Sequence, residues 1–308
     1  MAPGHSLRPV RVFLAGAGGF IGSELARALL ARGHSVIAFG RNAAKLSALG
    51  PHAQTVAGDV TRRATVESAA KDADAVVHLA LPGADAKYRK AYPVWKEGTA
   101  NLLAVAVERS MRAFVMASGA LGVYRHEPGA WIDETAPAAP FTRFTQGRAE
   151  ADGLVLAAHR EHRLPVAILR PAVVYGRGGP FGKFFLDYMR AGRYRVVGDG
   201  SNYTGLVHVA DCALAYALAV ERAPRGEVFL VSDDTPVTLR EASDATADAL
   251  RVSRPKTVPP FLARLVAGKD AVVLLTESVR LRTRKAKEVL GWVPRHPSLR
   301  DGLPSIVY

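Results

Sequence analysis

Gly16, Gly19 and Gly22 stand three residues apart, directly after the apolar run Val10 to Ala15, and this spacing has a chemical use. A turn made of glycines lets backbone N–H groups approach a pyrophosphate and lets the following helix pack closely on the strand behind it. Gly18, Phe20 and Ile21 fill out the turn and open the helix. About 20 residues beyond such a turn, a carboxylate commonly holds the adenosine ribose of NAD. Here the second apolar run ends at Phe39-Gly40, and Arg41, Asn42 and Lys45 follow with no acid among them. A guanidinium can clamp a 2′-phosphate with paired donors, so the expected ligand is NADPH in preference to NADH.

Groups that could move a proton are scattered. Ser118 and Tyr124 follow the apolar strand-like run Ala113 to Ala117, near the expected pocket. Each also has a structural reading: a serine can cap a turn, and a tyrosine can pack with its hydroxyl satisfied. Lys87, Tyr92 and Lys96 fall in a segment that could overhang a bound nicotinamide, although lysines are usually solvated. His208 reads as a structural hydrogen-bonding residue and Cys212 as a small core residue. Trp95, Phe141, Phe144, Phe181 and Phe184 are either an apolar substrate lining or simply core.

The elements that must position these residues alternate. Strand-like runs at 10–15, 36–39, 54–57, 75–80, 113–117 and 166–169 are separated by helical patterns at 21–30, 43–49, 66–70, 95–108 and 145–160. Such alternation implies right-handed crossovers and a parallel sheet covered on both faces. The expected fold is α/β: a Rossmann-like doubly wound sheet with a smaller C-terminal substrate-binding module. A flexible lead-in covers residues 1–9, the nucleotide-binding domain 10–175, and the smaller module mainly 176–308, with some segments returning to the sheet. Pro128, Gly129, Pro137 and Pro140 mark the stretch 127–140 as a long irregular loop.

Composition narrows the partners. The 308 residues are 49% hydrophobic, and 41 basic against 28 acidic residues leave a charge of +13. Apart from Arg280 to Lys287 the basic residues are dispersed, without the aromatic interleaving of a nucleic-acid groove, so no nucleic-acid partner is expected. No run approaches the 18 to 20 or so apolar residues of a membrane span, and no signal peptide is visible. A single cysteine excludes an internal disulfide and a multi-cysteine metal site, and no metal is expected. The expectations are a cytoplasmic location, no membrane partner and a small-molecule substrate.

The segments Ala15-Gly16-Ala17-Gly18-Gly19-Phe20-Ile21-Gly22, Asp59-Val60, His78-Leu79-Ala80, Gly98 to Leu103, Leu169 to Gly176, Val207 to Asp211 and Leu290 to Pro294 occur in an order similar to that of the extended or atypical short-chain dehydrogenase/reductase superfamily, in its NAD-dependent epimerase/dehydratase group. The resemblance covers nearly the whole chain and implies a monomer or homodimer. It places Asp59 and Val60 at the adenine ring, Leu79 and Ala80 along the cofactor, and Pro171, Val173 and Val174 near the nicotinamide.

The resemblance breaks where family members carry a Tyr and, four residues later, a Lys that eases the tyrosine's proton transfer. Anchored on Glu150, these positions hold Thr142 and Gln146, and Ala120 stands where a Ser or Thr is usual. No Tyr or Lys occurs anywhere between Trp131 and His159. Gln146 retains the capacity to hydrogen-bond the nicotinamide ribose. The catalytic candidates are therefore Ser118, Tyr124, Thr142 and Gln146. The leading expectation is an NADPH-dependent reductase of a small, fairly apolar carbonyl, enone or quinone-like compound, of the kind found in secondary metabolism. A catalytically silent NADP(H) sensor or partner protein, and a redox-neutral isomerase or cyclase, stay open.

Overall fold

The computed structural model describes residues 8–80, 82, 88–124 and 129–307. Most of the expected lead-in and Lys87 lie outside the described residues. Seven strands form one sheet: β1 (Arg11–Ala15), β2 (Ser35–Gly40), β3 (Ala53–Ala57), β4 (Ala75–His78), β5 (Ala113–Ala117), β6 (Val166–Pro171) and β7 (Glu227–Val231). Their order is β7-β6-β5-β4-β1-β2-β3. The pairings from β3 across to β6 are parallel. At the edge, Gly226 N donates to Val166 O and Ala172 N to Val231 O, which runs β7 in the same direction.

β1, β4, β5 and β6 are almost wholly buried and, apart from Arg11, His78, Arg170 and Pro171, built from Val, Ala, Leu, Ile, Phe and Met. Continuous apolar runs of this kind suit strands covered on both faces. Helices α1 (Phe20–Ala31), α2 (Ala43–Ser47), α3 (Arg63–Ala69), α4 (Thr99–Glu108), α5 (Arg143–His162) and α6 (Val209–Arg222) alternate with the strands, and α7 (Leu239–Leu250) and α8 (Pro260–Ala267) follow. The order reverses direction between β1 and β4, and that switch point opens a crevice at the strands' C-terminal ends.

The chain divides into two compact units. The first contains residues 1–117, 147–169 and 213–228, the second 118–146, 170–212 and 229–308. Residues 118–146 and 170–175 group with the second unit and 213–228 with the first. Within the first unit the buried Glu221 carboxylate of α6 accepts from Arg32 Nε (2.5 Å), Arg32 Nη2 (2.7 Å) and His34 Nε2 (3.0 Å), which ties α6 to the end of α1.

The second unit is stitched by two- and three-residue strand pairs. Trp131–Ile132 pairs with Arg280–Leu281, Val173–Tyr175 with Leu206–His208, Tyr203–Thr204 with Val237–Thr238, and Val196–Val197 with Thr257–Val258. The stretch expected to be a long irregular loop thus includes the two-residue strand Trp131–Ile132. Elements this short have no periodicity of their own to read.

Candidate functional site

The crevice of the first unit is built from backbone. Gly16 has φ +89°, and a Cβ there would lie 2.5 Å from the carbonyl carbon of Leu79, so glycine is required at the point where β1's exit meets the residues after β4. A Cβ on Gly22 would fall on the Gly16 carbonyl oxygen. Gly16 N donates to Phe39 O (2.8 Å) and Gly19 N to Gly16 O (2.9 Å), closing the turn. Gly19 is the N-cap of α1 and supplies no side-chain cap, and the first helical turn holds no acid. The amides of Phe20, Ile21 and Gly22 open that helix, an arrangement suited to an anion.

The resulting cleft has a volume of about 830 Å³, and Gly16, Gly18, Gly19, Arg41, Asp59, Val60, Leu79 and Ala80 all line it. Lys45 and Asn42 also border it. Asn42 accepts from Lys45 N (3.0 Å) and so caps α2, fixing the turn that carries Arg41. Arg41 is exposed and has no carboxylate partner among the described residues. The Asp59 carboxylate accepts from Thr61 N (3.0 Å) and Oγ1 (2.9 Å), while Asn101 Nδ2 donates to Val60 O (3.0 Å) and anchors the loop after β3 to α4. His78, buried at the end of β4, contacts Thr99 Oγ1 at 3.2 Å, and burial pushes its pKa down to about 3, so it is a neutral spacer. Of the cofactor-binding residues expected in the first half of the chain, eight thus line one cleft, and Phe20, Ile21 and Gly22 form the start of α1 beside it.

The remaining expected residues fall in the second unit. Thr142 is buried and makes a reciprocal cap: its Oγ1 accepts from Thr145 N (3.1 Å), and Thr145 Oγ1 accepts from Thr142 N (3.1 Å). Thr142 is thus the N-terminal cap of α5. Gln146 is exposed one turn further along. Ala120 is buried and donates its N–H to Pro171 O at 3.0 Å, and Ser118 is partly buried at the exit of β5.

Tyr124 is fully buried in a cluster with Val123, Ile132, Ala172 and Leu281, and its hydroxyl oxygen accepts from Arg170 Nη1 at 2.6 Å. Arg170 was not singled out by the sequence reading. The signal available was its presence in the otherwise apolar strand Val166–Pro171, since a buried guanidinium needs a partner. Val173 and Val174 are half-buried in the pair with Leu206–His208. Phe181 packs on Tyr175 and Phe185, whereas Phe184 is exposed. In the first unit Trp95 is buried against Gly147, where a Cβ would lie 2.6 Å from its ring.

His208, Asp211 and His296 bring potential ligand atoms within 4.8 Å of one another. Asp211 accepts from Arg295 N (2.7 Å), His296 N (2.9 Å) and His296 Nδ1 (2.8 Å), while His208 contacts Ala210 N and Ser305 Oγ. The three therefore hold the segment around residue 296 to the start of α6. Burial and the neighbouring His296 push the His208 pKa down to about 4.

Fold and cleft define a dinucleotide-binding α/β protein. Residues 12–232 match the NAD dependent epimerase/dehydratase family, and the chain belongs to that family. It is 30% identical to a 4-hydroxy-2-methyl-3-oxo-4-farnesyl-3,4-dihydroquinoline-1-oxide ketoreductase of Stigmatella aurantiaca, over 93% of this chain and 92% of that protein. It is 32% identical to a 3-diazoavenalumate denitrifying reductase of a Streptomyces species, over 96% of this chain and 99% of that protein. Among solved structures, the UDP-glucose 4-epimerase of Thermotoga maritima superposes with a TM-score of 0.83 at 23% identity, covering 96% of this chain and 97% of that one. Among the described residues no helix is long and apolar enough to cross a membrane.

Proposed function

We propose that this chain is an NADPH-dependent oxidoreductase that reduces a small, fairly apolar carbonyl, enone or quinone-like compound. Relatives named as a ketoreductase and a denitrifying reductase support the oxidoreductase class. The observation that carries the coenzyme choice is Arg41, which stands at the end of β2 on the rim of the cleft, with Lys45 one helical turn away and no acid at the ribose position. When bound, a nicotinamide dinucleotide supplies hydride. The chain's part is to seat the diphosphate on the amides of α1, to hold the 2′-phosphate with Arg41 and Lys45, and to flank the adenine with Asp59 and Val60.

Protonation is where this chain departs from its family. Thr142 and Gln146 cannot act as a tyrosine-lysine pair. Tyr124 is the remaining phenol on the loop after β5, and Arg170 sets a positive charge on its oxygen, the electrostatic part that lysine plays in the usual pair. Carbonyl reduction on this chain then draws its proton from Tyr124 or from solvent.

A second reading is favoured by the absence of Tyr and Lys between Trp131 and His159. Reduction of an aryl diazonium group breaks the carbon–nitrogen bond, nitrogen leaves as N2 with the bonding pair, and the carbon gains one hydride. That reaction asks for no proton from the protein, and a relative at 32% identity is named for a diazo substrate.

Calorimetry with NADPH and NADH tests the shared part of both readings. NADPH should bind at least about tenfold more tightly, and Arg41→Ala should erase most of the difference, since loss of about 1.4 kcal/mol of phosphate contact is a factor of ten. Equal affinities in the unaltered protein would remove the Arg41 assignment. NADPH oxidation with ketones, quinones and an aryl diazonium salt then separates the two substrate classes.

A further inference from the structure

Helix α8, Pro260–Ala267, has no buried residue, although half of it is large and apolar. Phe261, Leu262, Leu265 and Val266 sit at positions i, i+1, i+4 and i+5 and so share one face. Leu265 is 82% exposed and Val266 93%. A stripe of this kind is normally turned inward, and one left outside marks an interaction surface.

The charge around it says which surface. Residues 251–270 contain Arg251, Arg254, Lys256, Arg264 and Lys269 against a single acid, Asp270 at the far end. Arg254 is paired with Asp244 and Asp248. Arg251, Lys256, Arg264 and Lys269 have no acidic partner among the described residues. The pairing of Val196–Val197 with Thr257–Val258 brings Arg195 beside Lys256 at one end of a short ribbon. The other end leads into Pro260, which a Cβ on Gly198 would meet at 3.9 Å. An apolar helical face is thus bordered by cations on the chain segments that enter and leave it.

We propose that α8 docks the protein peripherally on an anionic lipid surface, with Phe261, Leu262, Leu265 and Val266 entering the boundary between headgroups and acyl chains. Arg264 and Lys269, next to the face, reach headgroup phosphates, and Lys256 and Arg251 add attraction at longer range. A helix of this length spans about 12 Å and lies in the interface without crossing it, so the lack of a spanning segment is no obstacle. The expectation of no membrane partner rested on that lack and on the dispersal of the basic residues along the sequence, which does not preclude a local cluster around one helix. A second copy fits this face less well, because a two-fold contact would set the same uncompensated cations against each other. The proposal is independent of the reductase reading.

The test is flotation of the full chain with vesicles of phosphatidylcholine alone and of phosphatidylcholine mixed equally with phosphatidylglycerol. The protein should float with the anionic vesicles, stay largely behind with the neutral ones, and be released by high salt. The double variant Leu265→Asp, Val266→Asp should bind the anionic vesicles at least about tenfold more weakly. Its melting temperature and NADPH affinity should be unchanged, because both side chains point into solvent. No flotation with anionic vesicles, or equal flotation of the variant, would overturn the proposal. So would a dimer in sedimentation that the variant abolishes and the vesicles fail to dissolve, which would assign the face to a second copy.

Discussion

The cleft at the switch point and the start of α5 depart from the same family pattern to very different extents. In the cleft two glycines of the turn are dictated by backbone. Gly16 touches the chain after β4, Gly22 touches Gly16, and neither position tolerates a side chain. At the start of α5 the hydroxyl of Thr142, a residue that the family resemblance puts forward for the proton relay, closes a cap with Thr145, and Gln146 is exposed. A nucleotide cradle made of main chain resists substitution, because any Cβ in it moves the backbone. A proton relay made of side chains can be exchanged while the helix that carried it stays folded. If binding and chemistry are separable in this molecule, the following substitutions divide along that line, and each would break or sharpen the contrast.

The largest effect belongs to the cradle. Gly22→Val drives a branched side chain into the Gly16 carbonyl, so the turn must open and the α1 amides lose their aim. NADPH affinity should fall by about a hundredfold or more, equivalent to about 2.7 kcal/mol or more. Calorimetry reads the loss, and far-ultraviolet circular dichroism establishes that the sheet is retained. Retention of affinity within about threefold would show that the diphosphate is held elsewhere.

The contrast also explains what could be read before any coordinates. The cradle is a local motif: its glycines, its strand and its helix lie within about 20 residues, and the steric reason for each is a property of the backbone. The alternation of β1 to β6 with their helices is legible for a similar reason, since buried parallel strands appear as apolar runs. The partnership of Tyr124 with Arg170 spans 46 residues and depends on a loop returning beside β6, so neither residue announces the other. The two-residue pairs of the second unit are set by tertiary packing alone. The apolar face of α8 is visible as a pattern, but periodicity marks a stripe without saying whether anything covers it.

A smaller effect, from the second unit, is a pH dependence. Asp233 is 3% exposed. Burial pushes its pKa up to about 8, the Thr235 amide offsets this in part, and the carboxyls of Asp234, Asp211 and Asp301 add to it. The folded protein therefore holds a proton that the unfolded chain releases at the ordinary carboxylate value. Stability from this group is greatest at acidic pH, falls by at most about 1.4 kcal/mol per unit as pH rises, and levels off above a pH of about 8. Asp233→Asn removes the ionisation, so its stability curve should meet that of the unaltered protein at acidic pH and lie above it at pH 8. Urea titrations across that range measure the gap, and parallel curves would mean that Asp233 is charged in the folded state.

The smallest effect decides what Thr142 does. If its hydroxyl serves α5 as a cap, Thr142→Ala costs about 1 kcal/mol of stability, while Thr142→Asn, which keeps a capping oxygen and loses the hydroxyl, stays close to the original. Neither substitution should alter kcat for a reduced substrate by more than about twofold, or about 0.4 kcal/mol in barrier. The informative measurement is the pair of readings on each variant: a melting curve and a turnover rate. A rate that collapses in both variants while Thr142→Asn remains as stable as before would return the hydroxyl to the proton path, and the separation between a fixed cradle and an exchangeable relay would no longer hold at this position. A stability loss in Thr142→Ala that Thr142→Asn restores, with both rates intact, leaves threonine here as a helix-starting residue and moves the search for the proton to Tyr124 and solvent.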